Sequence, residues 1–277
     1  RDEKTGELHG LSRVRSLTQD DSHTYCTEEQ VAEVFSGLIA AIQAFYDSID
    51  MKLEARLSLR DESDAYLGEQ KLWDFGQQKI EEIAKQNNLS YYKEEGEAAF
   101  YGPKIDFMAI DAIGRKWQVA TIQFDFVQPE RFSLAYVDAS GEEKRPYMIH
   151  CAIMGSFDRF FSVFIEHTGG WFPFWLAPEQ VRILTINDTV MDYVDIIKET
   201  LEGIVLMKPL KYNELRYSVD DRNESLGRKI RDAAGMKIPV TLIVGPKDVE
   251  AGEVSVRLRD GEQKVKLDSL KEFLTSL

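Results

Sequence analysis

A chain of 277 residues that is 43% hydrophobic and 11% aromatic holds enough apolar material for one large packed domain or two smaller ones. Its formal charge of −14 excludes a surface built only to attract nucleic acid, while leaving room for local basic patches. No apolar run approaches the length of a membrane span, about 18 residues, and two isolated cysteines, Cys26 and Cys151, suit a reducing, cytoplasmic setting better than a disulfide scaffold.

The opening reads as two strands joined by a loop over 4–10, which contains Gly6 and Gly10. Thr27 and Gln30 have the spacing of a capping box. Val31, Val34, Phe35, Leu38, Ile42 and Phe45 then recur at helical spacing and predict an amphipathic helix over 28–47. Residues 51–60 alternate as a strand does, and 69–86 form a second helix stopped by Asn87-Asn88. After the turn Gly102-Pro103, strands are expected over 105–110 and 116–126, with 111–114 as the hairpin turn. Residues 145–151 are a further strand. Gly155 opens a helix over 156–166, and Gly169-Gly170 ends it. This is an α+β pattern, an antiparallel sheet with helices on it. Near Trp175-Leu176-Ala177-Pro178 the pattern changes. Strands over 181–186, 214–219, 240–244 and 252–258 alternate with helices over 191–202, 225–234 and 267–274. That predicts a small α/β domain with a largely parallel or mixed sheet, and a boundary at about 176–180.

Four constellations carry chemistry. The first is Arg1, Glu3 and Arg13 around the Gly-containing turn, followed by a run that ends in Asp20-Asp21-Ser22-His23. Forked guanidinium groups match phosphate oxygens two at a time. The second is Tyr101-Gly102-Pro103-Lys104-Ile105-Asp106, where the turn can push Tyr101 and Lys104 into a cleft. The third is a strand whose period of two puts Val119, Thr121, Gln123 and Asp125 on one face, a lining too polar for a core. Gln118 has the opposite parity and needs a bulge or twist to join them. The fourth is His150 followed by Gly155-Ser156-Phe157-Asp158-Arg159, which suits an anion at a helix start. Each group also has an ordinary structural explanation: surface ion pairs, a plain turn, or a histidine satisfied by its neighbours. His23 and His150 are metal candidates, but 127 residues separate them and spacing alone does not pair them.

Taken in order, these segments resemble threonyl-tRNA synthetases, a family of class II aminoacyl-tRNA synthetases, along the whole chain. The stretch from Arg1-Asp2-Glu3 to Thr18-Gln19-Asp20-Asp21-Ser22-His23 is similar to the second class II motif in its threonine version. Gly155-Ser156-Phe157-Asp158-Arg159-Phe160 is similar to the third motif, and the segments around Tyr101, Gln123 and Met148-Ile149-His150 match the family's middle. The remainder, through Arg222-Asn223-Glu224 to Val256-Arg257, resembles the anticodon-binding domain.

The resemblance implies a class II catalytic core over 1–176 and an anticodon-binding domain over 177–277. It implies ATP-dependent ligation of threonine to tRNA(Thr) through threonyl-adenylate, in an enzyme that is a homodimer when intact. Arg1 and Glu3 are expected on the α-phosphate and the adenine amino group, Arg13 on the outer phosphates, and Arg159 across the nucleotide. Gln118 and Thr121 line the adenylate. Arg1, Lys104 and Arg159 are the catalytic set. Gln19, Asp21, Tyr101, Gln123 and Ser156 bind threonine. Zn²⁺ is held by His23 and His150, with a cysteine ligand expected upstream of Arg1, and Mg²⁺ accompanies ATP. Asn223, Lys237, Asp248 and Arg257 match the positions that read the anticodon. Leu17 departs from the family's usual Phe, which stacks on adenine, and Lys237 and Asp248 stand where Arg and Glu are more usual. A different class of function, a non-catalytic tRNA-binding relative, is the alternative expectation. Cys26 and Cys151 are further candidates for the missing zinc ligand.

Overall fold

The computed structural model describes residues 5–204 and 214–277. It divides into two compact units, Arg1–His167 and Thr168–Leu277. The division falls earlier than the change of pattern at 176–180. The reason is that Phe174, Trp175 and Ala177 are claimed by the second unit: Gln180 Nε2 donates to the Phe174 carbonyl, and Arg216 Nη2 donates to those of Trp175 and Ala177.

Among the described residues the first unit carries eight strands, β1 (Ser22–Cys26), β2 (Leu53–Leu59), β3 (Tyr91–Glu95), β4 (Lys104–Ile110), β5 (Lys116–Asp125), β6 (Tyr136–Val137), β7 (Glu143–Lys144) and β8 (Tyr147–Ala152). Its helices are α1 (Val31–Asp47), α2 (Gln70–Gln86), α3 (Gln128–Arg131) and α4 (Phe157–Thr168). Six strands form one sheet in the order β1-β8-β5-β4-β2-β3, and β6 and β7 form a separate small ribbon. Every pairing in the large sheet is antiparallel except β2 with β3.

One face of this sheet is apolar and covered by helices. α1 buries Val31, Phe35, Ile39, Ile42 and Tyr46, and α2 buries Trp73, Gly76, Ile80, Ile83 and Ala84, each set at helical spacing. β5 offers Ala120, Ile122 and Phe124 to that side, all buried, and Phe124 meets Phe35 edge-on. Thr121, Gln123 and Asp125 alternate with them and point to the opposite face.

Several sequence expectations need correction. The described opening residues form no paired strands: a 3₁₀ turn at Thr5–Glu7 precedes an isolated His9–Arg13 bridge, which closes a second 3₁₀ turn at Gly10–Ser12. α1 starts at Val31 rather than residue 28, because only half of the capping box is made. The Thr27 amide donates to Gln30 Oε1, but the Thr27 hydroxyl donates to Glu29. Val119 does not belong to the polar face. It is the extra residue of a bulge, since Phe107 pairs with Ala120 while Met108 pairs with Gln118. That bulge moves Gln118 onto the same face as Thr121.

The second unit carries β9 (Val181–Thr185), α5 (Met191–Leu201), β10 (Tyr217–Asp220), α6 (Leu226–Gly235), β11 (Val240–Val244), α7 (Pro246–Ala251), β12 (Glu253–Leu258), β13 (Gly261–Lys266) and α8 (Leu267–Thr275). The sheet order is β10-β9-β11-β12-β13, parallel among the first three strands and antiparallel among the last three. Val181, Ile183, Leu242, Val244, Val254 and Val256 pack against Val194, Ile197 and Leu201 of α5 and Leu270 and Leu274 of α8. α7 and β13 extend the sequence reading. The strand expected over 214–219 is shortened to Tyr217–Asp220.

The turn between β8 and α4 depends on Gly155. Its φ is +64°, and a Cβ there would sit 2.7 Å from the Val119 carbonyl oxygen that the bulge turns outward. Gly155→Ala should cost about 1–3 kcal/mol in urea unfolding, whereas Gly169→Ala, also left-handed at +60° but with open space around it, should cost only about 1 kcal/mol.

Candidate active site

Pairing register gathers the polar face into a row across the sheet. Ser58 pairs with Lys104, Lys104 with Gln123, Gln123 with His150, and His150 with His23. Residues in register on antiparallel neighbours share a face, so five side chains from distant segments line up. The next row contains Arg56, Asp106 and Thr121, again in direct register.

At the β1 end of the row the rings of His23 and His150 meet at 4.5 Å between centroids. Asp21 joins them: one ligand-capable atom from each of the three residues lies within 4.8 Å of the others, the only such group among the described residues. Zinc–nitrogen bonds of about 2.0–2.1 Å place tetrahedral ligands about 3.4 Å apart, a spacing in the range of this group, so the two imidazoles could share one ion with Asp21 beside it. His150 is buried and positioned from several sides. Tyr101 stacks on it at 5.0 Å, and the Asp125 carboxylate, fully buried, lies 2.8 Å from its Nε2. The other oxygen of Asp125 accepts the amides of Val127 and Gln128. A carboxylate only accepts, so the proton belongs on Nε2 and Nδ1 is left for a ligand.

Tyr101 reaches this point because Gly102 lets the chain press onto β5. A Cβ on Gly102 would fall 1.7 Å from the Phe124 carbonyl oxygen. The Tyr101 hydroxyl donates to Gln123 Oε1. Burial, helped by Asp125 and Asp21, pushes its pKa up to about 12, so it stays a donor at neutral pH.

Asp20 stands in the first constellation without an assigned role, yet it ties the two halves of the site together. Its Oδ2 accepts the amides of Ile153 and Met154 at 2.8 and 2.9 Å, and its Oδ1 accepts that of Gly155 at 3.0 Å. Tyr46 donates to the Ile153 carbonyl from the helix side at 2.9 Å. Gln19 forms a bridge with Ser156, and the Phe157 amide donates to the Thr18 carbonyl. Gln19 is thereby held beside Ser156 at the start of α4. Arg159 Nε donates to the Ser12 carbonyl at 2.9 Å, next to Arg13, whose own Nη2 lies 3.6 Å from Glu7. Arg1 and Glu3 lie outside the described residues.

The second polar row converges on Asp106, which accepts from Lys104, Ser58, Arg56 and Gln118. Two of the three buried side-chain polar atoms without a partner among the described residues are here, Arg56 Nε and Thr121 Oγ1. Unsatisfied buried polar atoms are uncommon and suit a face that receives a polar ligand. Cys26 and Cys151 stand apart from the metal-capable group. Burial pushes their thiols up to about 11 and about 12, which keeps them protonated at neutral pH.

In the second unit the four expected anticodon residues differ in availability. Asn223 is exposed in the loop before α6, and Ser225 rather than Asn223 takes the helix cap position. Lys237 sits at 5.2 Å over the Trp171 ring, which Arg259 also approaches at 5.5 Å. Arg257 is exposed on β12 and lines a hollow with Trp171, Ile230 and Thr241. Asp248 is buried and already engaged by the Gly245 amide, the Ser255 hydroxyl and, at 3.3 Å, Lys264.

Comparison with known proteins identifies the family of both units. Residues 1–168 match the class II core domain of tRNA synthetases (G, H, P, S and T), and residues 180–277 match an anticodon binding domain. A threonine–tRNA ligase of Bacteroides fragilis is 48% identical over 274 residues, covering 98% of this chain and 41% of that protein. Its counterpart in Bacteroides thetaiotaomicron is 48% identical over 94% of this chain and 39% of that protein. The chain thus spans about two fifths of the length of these relatives. A solved structure described as the RNA binding domain of threonyl-tRNA synthetase from Cryptosporidium parvum superposes with a TM-score of 0.86 at 32% identity, over 99% of this chain and 67% of that one. The chain belongs to the class II tRNA synthetases, within the threonyl-tRNA synthetase family, and consists of a core domain followed by an anticodon-binding domain.

Proposed function

We propose that the protein activates threonine with ATP and Mg²⁺ and transfers it to tRNA(Thr). The reading is supported above all by the convergence of Asp21, His23 and His150, from segments far apart in sequence, beside the Tyr101–Gln123 pair. The change of sequence pattern assigns the catalytic core to 1–176 and the anticodon-binding domain to 177–277, although 168–176 pack with the second unit. The homodimer follows from the resemblance, as does the cytoplasmic setting, which two buried free cysteines suit. No helix among the described residues is long and apolar enough to cross a membrane.

In this reading Asp21, Gln19, Tyr101, Gln123 and Ser156 hold threonine, with its carboxylate directed toward Lys104. Arg1, Arg13 and Arg159 bind the phosphates, Glu3 accepts from the adenine amino group, and Gln118 and Thr121 line the adenylate. Attack of the carboxylate on the α-phosphorus breaks its bond to the α,β-bridging oxygen and releases pyrophosphate, a displacement in which the protein supplies alignment and positive charge rather than a covalent partner. Zn²⁺ on His23 and His150, when bound, supplies a Lewis-acid position for the amino and hydroxyl groups of threonine. The side chains around it then discriminate by leaving polar groups unpaired when the hydroxyl is missing. Asn223, Lys237, Asp248 and Arg257 read the anticodon, with hydrogen bonds and stacking doing more than net charge.

ATP–pyrophosphate exchange by the intact protein should respond to threonine and reject valine by about 10⁴-fold; exchange driven by proline or serine but not threonine overturns the reading. In Asp125→Asn the one amide oxygen is claimed by the Val127 and Gln128 amides, so an NH2 faces His150 in place of an acceptor, and zinc affinity measured by chelator competition should fall about ten- to a hundredfold. The phenol of Tyr101 loses its proton near 12 in the folded state and near 10 when unfolded. Between those values the unfolded chain binds fewer protons, so stability should decline as pH rises from 10 to 12. In an absorbance titration at 295 nm, Tyr101→Phe should remove one late-ionising tyrosine.

A further inference from the structure

Asp106 has no role in the reading above, yet it is the most heavily engaged side chain on the polar face. It is fully buried and lies two residues from Lys104 on β4, so both point the same way. Its Oδ2 accepts from Ser58 Oγ at 2.7 Å, Lys104 Nζ at 2.8 Å and Arg56 Nη2 at 2.9 Å. Its Oδ1 accepts from Gln118 Nε2 at 2.8 Å. Two cations and two neutral donors thus share one carboxylate. Arg56 is also drawn outward, to Glu94 at 3.0 Å and Glu97 at 3.2 Å, both half-exposed. Among the described residues Lys104 has Asp106 as its one ion-pair partner.

We propose that Asp106 is a positioning residue that sets the direction of Lys104 and Gln118 together, and so fixes the carboxylate end of the amino acid against the nucleotide end. The proposal rests on the threonine-activation reading for what the two residues touch. A lysine side chain has four rotatable bonds and points nowhere in particular unless something holds it. Asp106 takes one of its three N–H donors and leaves two for a ligand. Gln118 is fixed as well. Its Nε2 faces Asp106 and its Oε1 accepts from Arg56 Nη2 at 3.3 Å, so the amide has a donor side and an acceptor side and cannot flip without losing both contacts. The carboxylate also keeps Arg56 and Lys104, two cations that meet at the same oxygen, from repelling each other.

The test uses the intact protein and two independent readouts. Brief treatment with an amine-reactive ester, followed by residue-resolved mass spectrometry, reports Lys104 without any substrate. Asp106→Asn should raise its labelling several-fold while Ser58→Ala leaves it unchanged. In threonine-dependent exchange, Asp106→Asn should raise the threonine KM about ten- to a hundredfold. Added to Lys104→Met, it should cost no more than about a further twofold, because the two residues act as one. If Asp106→Asn alone folds poorly by circular dichroism, the charge-balanced pair Arg56→Gln/Asp106→Asn carries the same two readouts. Unchanged Lys104 labelling, or costs that multiply with those of Lys104→Met, overturns the proposal. A wild-type protein that shows no threonine-dependent exchange, but whose Lys104 labelling rises with Asp106→Asn, defeats the activation reading and leaves the tether standing.

Discussion

The antiparallel register of β1, β8, β5 and β4 is the constraint on which the site depends. Because side chains alternate along a strand, a slip of one residue between β1 and β8 would send His23 or His150 to the covered face. The register is held by what the other face buries. Phe124 meets Phe35, and Ile122, Phe107, Ile39 and Trp73 are buried with them; that hydrophobic requirement places Thr121, Gln123 and Asp125 on the open side. The geometry of the polar face is thus a by-product of core packing, adjusted at one point. The bulge at Val119 brings Gln118 to the open side, and its carbonyl closes the space that obliges residue 155 to be glycine.

Three aspartates then fix what the sheet has aligned. Asp20 holds the β8–α4 turn, Asp125 holds His150 and the start of α3, and Asp106 holds Lys104 and Gln118. Each has at least three donors or a cation, as a carboxylate withdrawn from water requires. Such networks contribute little net stability compared with an apolar core of the same shape. Their effect is to leave one arrangement satisfied and every other one short of a partner.

Much of the fold is legible in the sequence. α2, β4, β5 and β11 are readable because their apolar periods are strong and their ends are marked by Asn87-Asn88, the 111–114 turn or Pro239. β3 and β13 are harder to read, since Tyr91–Glu95 and Gly261–Lys266 are largely polar edge strands whose charges also guard against pairing with other chains. The beginning of α1 misleads because Gln30 completes its part of a capping box and Thr27 does not. In the site, the motif residues are visible in sequence as chemistry, but their convergence is not. His23 and His150 are 127 apart, and only strand pairing unites them. The tethering residues are less visible still. Arg56 and Asp106 are separated by 50 positions, and a lone Arg in a predicted strand carries no sign of the carboxylate that awaits it. Asp20 sits between two obvious candidates, facing the other way.

The central claim is that one face of this sheet binds an amino acid and a nucleotide end to end, with threonine at the His23–His150 end. A crystal structure of the zinc-loaded protein with a threonyl-adenylate analogue that carries an unreactive linkage tests it most directly. The account predicts the threonyl group among Asp21, His23, His150 and Tyr101, with the linkage beside Lys104 and Arg159. Zinc on any other residues, or the analogue bound with its aminoacyl group away from the two imidazoles, would contradict it.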